Sequence, residues 1–336
     1  MLKMKNISII GDGGWGTTLA ILLSGKGHNV ALWGAFPEYV ELVKAKRVNA
    51  KFLPGVKIPH KVKITSSLNE AIENKEIIIL AVPSQYMRSV LTRLTPYKLS
   101  GKAFISVTKG IENKTLLRMS EIVHELLGNN MEVCVLSGPS IAHEVAQGNP
   151  ATLVASSRNL ALAKDIQNVF MTDRFRVYSN SDVIGVELGG SLKNVIAIAA
   201  GISDSLGFGT NAKSALLTRG LVEMARLGIS MGAKKDTFYG LSGLGDLTTT
   251  CISRYSRNHH LGEEIGKGKS LKEVLKETEM VVEGVATTES AHELAKKYKV
   301  EMPIIGEIYK VLYEGKDPKK GVHDLMTRSP KEEGFY

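Results

Sequence analysis

From Val183 to Ile202 the chain reads VIGVELGGSLKNVIAIAAGI, an apolar run of membrane-spanning length interrupted near its middle by Lys193. Glu187, Lys193, Asn194 and four glycines within it point to a buried core helix and not to a membrane span. At about 100° per residue, such a helix sets Gly189, Gly190, Ile196 and Ala197 on the same face as Lys193. Two missing side chains there would leave room for a ligand beside the ammonium. An unpaired buried charge costs several kcal/mol, so the group must find an anionic partner or shift its pKa towards neutrality. Either outcome suits a catalytic proton carrier; a purely structural ion pair with Glu187 or Asp204 is the alternative on this segment alone.

At 336 residues the chain has length for about two domains. With 43% hydrophobic and 23% charged residues it reads as globular and soluble. The formal charge of +9 could indicate an anionic substrate, a nucleic acid or a membrane surface. Acidic residues interrupt the basic ones throughout, and Asp317 and Pro318 break the densest cluster, Lys316 to Lys320, so neither nucleic-acid binding nor membrane insertion is expected. Only Cys134 and Cys251 occur, with no CxxC pair, so no metal centre is expected and a reducing cytoplasm fits. The start, MLKMKN, is followed by too short an apolar stretch for a signal peptide, and no export is expected.

The first half alternates β-rich and helical segments, which predicts an α/β fold, a Rossmann-type parallel doubly wound sheet. Strands are expected at 7–10, 29–33, 62–64, 77–82, 103–107, 133–136, 151–155 and 175–178, with helices at 17–24, 37–46, 115–127 and 159–170. A polar hinge at 179–182 follows, and beyond it helices are expected at 183–202, 212–227, 258–267, 271–277, 287–298 and 303–313. The expected domains are therefore 1–181, dinucleotide-binding, and 182–336, all-α, carrying substrate and catalysis.

Gly11-Asp12-Gly13-Gly14-Trp15-Gly16 fits GxGxxG between a predicted strand and a predicted helix, where backbone N–H groups and the helix dipole favour a pyrophosphate. Asp12 is an awkward neighbour for phosphate, and its side chain is expected to point away or to cap backbone donors. The second strand runs into Trp33-Gly34-Ala35-Phe36, with no acid for the ribose hydroxyls and no arginine for a 2′-phosphate, which tilts the reading towards NADP or dual use. Lys109 follows a strand and would face a substrate or nicotinamide. Ser137-Gly138-Pro139-Ser140 leads into a helix at 141–147 with Ser140 as expected N-cap; its amides could equally hold a hydroxyl or phosphate. In the second half, 240–246 (GLSGLGD) is a turn presenting Asp246, and Arg254 to Asn258 offers guanidinium groups for phosphate oxygens.

Together these residues resemble the soluble NAD(P)-dependent glycerol-3-phosphate dehydrogenases of bacterial type. The resemblance runs through GDGGWGTTLA from Gly11, FLPG from Phe52, AVPS from Ala81, TKG from Thr108 and GPSIAHEVAQG from Gly138. It continues in GVELGGSLKNVIAIAAGISDSLGFG from Gly185, GLSGLGDL from Gly240, SRN from Ser256 and VVEGV from Val281. It implies a 6-phosphogluconate dehydrogenase-like pairing of Rossmann and all-α domains and reversible NAD(P)H-dependent reduction of dihydroxyacetone phosphate to glycerol 3-phosphate for phospholipid synthesis. Lys193 is thereby assigned as proton donor and acceptor, with Lys109, Gly138, Ser140, Lys193, Asp246, Ser256, Arg257 and Asn258 as substrate contacts. The implied cofactor contacts, joined to the glycine loop Gly11, Gly13 and Gly16, are Gly14, Trp15, Lys109, Ala142, Arg257, Val281 and Glu283. A homodimer is admitted by the family likeness alone. The chain departs from the family's usual residues at Asp12, Gly14 and Ala35, which bears on cofactor preference. A related hydroxy-acid dehydrogenase is the nearby alternative, and a non-catalytic NAD(P)-sensing protein is the alternative of another class.

Overall fold

A computed structural model describes residues 4–333, which divide into two compact units. Of these, unit 1 comprises residues 4–108 and 119–183, and unit 2 comprises 109–118 and 184–333. The expected boundary at 181/182 lies two residues from this division, but the sequence reading kept 109–118 with the first domain.

Unit 1 is built on strands β1 (Asn6–Ile10), β2 (Asn29–Trp33), β3 (Val48–Asn49), β4 (Leu53–Lys57), β5 (Lys63–Thr65), β6 (Ile77–Leu80), β7 (Ala103–Ser106), β8 (Glu132–Ser137), β9 (Ala151–Ser156) and β10 (Phe175–Asn180). Its helices are α1 (Gly14–Gly25), α2 (Pro37–Lys46), α3 (Leu68–Ile72), α4 (Met87–Leu94), α5 (Met119–Leu127), α6 (Ala142–Ala146) and α7 (Leu160–Phe170). Eight strands form one sheet in the order β10-β9-β8-β7-β6-β1-β2-β5. The central strands are continuous apolar runs such as Ile77–Leu80, as a sheet covered on both faces requires. The sheet is parallel and doubly wound as expected, with one antiparallel pairing, β8 with β9. The connection through α6 lets the chain reverse there. Also unanticipated is the β3–β4 pair, a small antiparallel ribbon outside the main sheet.

Unit 2 contains α8 (Val183–Ser205), α9 (Gly209–Ser230), α10 (Asp246–Ile252), α11 (Arg257–Gly266), α12 (Leu271–Glu277), α13 (Glu283–Tyr298), α14 (Pro303–Tyr313) and α15 (Pro318–Met326). Helix α8 begins one residue before the unit boundary. It is the one helix among the described residues long and apolar enough to cross a membrane, and 89% of that stretch is buried inside the protein. Its Leu192, Val195, Ile196 and Ile198 join Met224 of α9, Leu261 of α11 and Ile305 of α14 in one core, to which Ile111 of the 109–118 segment also belongs. A Ser270–Glu273 capping box, with both of its hydrogen bonds made, starts α12. Helix α15 escaped the sequence reading because its basic start resembles a solvated loop; Asp317 caps it by accepting from Lys319 N at 2.7 Å.

Candidate functional site

In unit 1 the glycine loop lies between β1 and α1. Gly11 adopts φ +119°, and a Cβ there would stand 2.6 Å from Ala81 O. A Cβ on Gly16 would overlap the Gly11 carbonyl oxygen, so the helix can start this close to the strand only with glycine. No side chain caps the first turn of α1. A Cβ on Gly13 would meet no heavy atom within 4 Å, so the loop is open at that point. Uncapped amides beside open space, at the positive end of a 12-residue helix, fit the pyrophosphate of an NAD(P) cofactor.

Asn49 of β3 steadies this loop. Its Nδ2 donates to Asp12 O at 2.7 Å and to Thr17 Oγ1 at 2.8 Å. No local pattern marks Asn49 for this part, because its two partners on the loop lie more than thirty residues away along the chain. Ala142 is also brought to the start of α1: its carbonyl accepts from Thr18 Oγ1 at 3.0 Å, and a Cβ on Gly14 would come 3.8 Å from its own Cβ. The same Cβ would stand 2.6 Å from Phe52 O, so the approach of that carbonyl accounts for glycine at this position. Trp15 tilts against Phe175 with centroids 6.5 Å apart.

Ser140 does not cap the following helix as expected. Its hydroxyl donates to Gly138 O at 2.9 Å, Gly138 has φ +136°, and Ile141 occupies the N-cap of α6 without a side-chain bond.

Unit 2 brings Lys193 and Lys109, read from sequence as parts of different domains, to one carboxylate. Lys193, 6% exposed, donates from Nζ to Thr250 Oγ1 at 2.6 Å and lies 3.3 Å from Asp246 Oδ1. Lys109 approaches the other oxygen, Asp246 Oδ2, at 2.6 Å. Asp246, 2% exposed, thus divides its carboxylate between two ammonium groups. It stands at the first residue of α10, after a π-helical turn, Leu241–Gly245, where the N-terminal helix dipole favours its charge. Thr250, four residues on, donates to Asp246 O at 2.7 Å. Burial pushes the Lys193 ammonium down to about 8; Asp246 opposes the shift and Lys109 adds to it.

Neither structural partner foreseen for Lys193 is used. Glu187 pairs with Arg118 at 2.5 Å, and Asp204 pairs with Lys213 at 2.5 Å and His259 at 2.8 Å. The room expected beside Gly189 is also taken, because a Cβ there would come 2.5 Å from Ser242 O. This glycine admits the backbone of the turn that delivers Asp246.

The SRN segment opens α11. Ser256 is its N-cap, accepting from His259 N at 3.2 Å. Arg257 Nη1 donates to Val281 O at 2.7 Å, which joins the start of α11 to the residue pair preceding α13 and Glu283. Asn258 is buried: Nδ2 donates to Asn194 Oδ1 at 2.9 Å, and Oδ1 accepts from Gly284 N at 2.8 Å. Asn194, next to Lys193, therefore ties the SRN segment to the lysine helix. Asn194 and Thr250 were both missed by the sequence reading; the signals available were the LKN triplet and the i+4 spacing from Asp246.

Residues 6–163 match the family described as NAD-dependent glycerol-3-phosphate dehydrogenase N-terminus, and residues 182–323 match the corresponding C-terminus. The chain belongs to the NAD-dependent glycerol-3-phosphate dehydrogenase family. It is 50% identical over 332 residues to a glycerol-3-phosphate dehydrogenase (NAD(P)+) of Citrifermentans bemidjiense, covering 98% of this chain and 99% of that protein. The corresponding Chlorobium phaeobacteroides enzyme is 48% identical with the same coverage. The crystal structure of glycerol-3-phosphate dehydrogenase from Coxiella burnetii superposes with a TM-score of 0.93 at 39% identity, over 97% of this chain and 99% of that one. This glycerol-3-phosphate dehydrogenase family member is thus an oxidoreductase with a Rossmann-like unit, a helical unit and NAD(P)H as its cofactor.

Proposed function

We propose that this chain reversibly reduces dihydroxyacetone phosphate to glycerol 3-phosphate, with Lys193 exchanging the proton at the C2 oxygen. The observation that carries the reading is the buried Lys193 ammonium held between Asp246 and Thr250, with Lys109 on the far oxygen of the same carboxylate. NADH or NADPH supplies the hydride that C2 receives. As negative charge gathers on the carbonyl oxygen, the Lys193 ammonium stabilises it and delivers its proton. In the oxidative direction neutral Lys193 takes that proton back. A group whose pKa is brought to about 8 can serve both directions near neutral pH.

Asp246 orients both ammonium groups, and Lys109 contributes a second positive charge for the oxygen. Arg257 spends one N–H on Val281 O and has further donors for the substrate phosphate. Asn258 spends one amide hydrogen on Asn194 and has a second for a substrate oxygen. Gly138, Ser140 and Ser256 are proposed as further substrate contacts on family likeness. Trp15, Ala142, Val281 and Glu283 are proposed on the same ground as cofactor contacts, with Gly11, Gly13, Gly14, Gly16, Lys109 and Arg257. A cytoplasmic homodimer feeding phospholipid synthesis completes the reading.

The test is the decrease of absorbance at 340 nm with dihydroxyacetone phosphate, run separately with NADH and NADPH. Oxidation of either supports the reaction. Silence with both, despite measurable cofactor binding, would favour the sensing or hydroxy-acid alternatives.

A further inference from the structure

In a dinucleotide-binding sheet the adenosine ribose lies over the end of the second strand, where an acid accepts hydrogen bonds from its hydroxyls. Here the first residue past β2 is Gly34, whose N–H donates to Thr65 O at 3.1 Å. A Cβ on Gly34 would overlap Asp12 Oδ2 and lie 2.6 Å from both Asp12 Cγ and Val40 Cγ2. The Asp12 carboxylate therefore fills the space from which a side chain at 34 would grow.

The loop is fixed in this arrangement. Gly11 N donates to Trp33 O at 2.9 Å, tying the loop to the end of β2, while Asn49 and Thr17 both donate to the Asp12 carbonyl. We propose that Asp12 is the ribose-recognition acid of this enzyme, carried on the glycine loop in place of the end of β2, and that it selects NADH over NADPH.

Among the described residues, no other side chain donates to the Asp12 carboxylate; it is served by its own backbone N–H. Burial holds this carboxyl above the ordinary aspartate value, as expected for an anion short of donors. The two ribose hydroxyls of NADH would supply donors. A 2′-phosphate would instead remove one hydroxyl and set its own negative charge against the carboxylate. Arg93 is the cation to weigh against this: its guanidinium carbon lies 5.2 Å from the centre of the Trp33 ring, at the end of the same strand.

The inference rests on reading the glycine loop as the NAD(P) site. Calorimetric dissociation constants for NADH and NADPH, without ketone substrate, test both on the full-length protein and on Asp12→Asn and Asp12→Ser. In the unsubstituted protein NADH should bind about tenfold or more tighter than NADPH, and in a folded variant the ratio should fall to about threefold or less, chiefly because NADPH binds better. Two variants guard against one failing to fold, and circular dichroism identifies the folded one. Equal affinities in the unsubstituted protein, tighter NADPH through Arg93, or an unchanged ratio in a folded variant would each overturn the role of Asp12 while leaving the cofactor site standing. Binding of neither nucleotide by the unsubstituted protein would overturn the site itself, and the role of Asp12 with it.

Discussion

A lysine held near pH 8 makes the two directions of the reaction titrate oppositely. Ketone reduction requires the ammonium, so kcat for reduction should fall as pH rises through about 8, whereas alcohol oxidation requires the amine and should rise over the same interval. Matching pH profiles in both directions would remove Lys193 from proton transfer. Lys193→Met should lower turnover by roughly 10²- to 10⁴-fold while leaving the dinucleotide dissociation constant nearly unchanged, because the glycine loop belongs to the other unit. Arg257→Ala should act differently, raising KM for the phosphorylated ketone by about tenfold with little loss of stability, since the residue is exposed by surface area and its side chain has one intrachain hydrogen bond to lose. Unchanged KM would sink the phosphate role. Lys193, Asp246 and Asn258 were legible in the sequence because each sits in a motif that needs explaining: a charge in an apolar run, an acid closing a glycine turn, an amide beside an arginine. Thr250 and Asn49 were harder to read, since Thr250 meets Lys193, and Asn49 the glycine loop, only across long stretches of chain, and Gly189 misled because a missing side chain can admit backbone as readily as ligand.

Elements defined by their own periodicity were read almost to the residue: β2, α2, α12 and α14 have the limits expected from sequence. Those set by tertiary partners were not. Residues 115–118 look helical but leave a turn through Leu116 at φ +63° and return to a single bridge between Ile111 and Arg118, and the short β3–β4 ribbon has too few residues for a pattern. Helix α14 starts where a Pro after Met302 favours the first turn, but its cap comes from α9: Glu223 accepts from Ile304 N at 2.8 Å and Ile305 N at 3.1 Å. Burial pushes the Glu223 carboxyl up to about 7, against the pull of those two amides. The folded protein therefore holds a proton there between about pH 4.5 and 7 that the unfolded chain has released, so this group's contribution to stability declines as pH rises through that window and is level above it. The shift corresponds to roughly 3 kcal/mol as an upper figure. Urea denaturation at pH 5 and pH 7.5 should show that Glu223→Gln, which cannot ionise, lacks this component of the pH dependence; an identical dependence in both proteins would remove Glu223 as its source.

At the scale of the whole molecule, the sequence divided the chain once, near residue 181, because composition changes there from alternating β and α to helix alone. Folding divides it three times, since 109–118 leaves the sheet unit, joins the helical one and returns. Nothing in the composition of KGIENKTLLR marks that excursion, but its contacts explain it. Ile111 is fully buried in the helical core, Ser290 donates to the Ile111 carbonyl at 3.1 Å, and Arg118 neutralises Glu187, which is 5% exposed on α8. Lys109 supplies the second cation for Asp246. A fragment of 182–336, though it contains every helix of the unit, would leave Glu187 as a buried carboxylate without its guanidinium, a loss of order 3–5 kcal/mol, and would open a gap where Ile111 packs. That sum is comparable to the whole stability of an ordinary domain. The fragment should therefore fail to show a cooperative thermal transition by circular dichroism, and joining 109–118 to it through a flexible linker should restore one. A cooperative transition in the unaided fragment at the temperature of the full chain would show that the helical core closes without the excursion, leaving the provision of Lys109 to Asp246 as the reason for it.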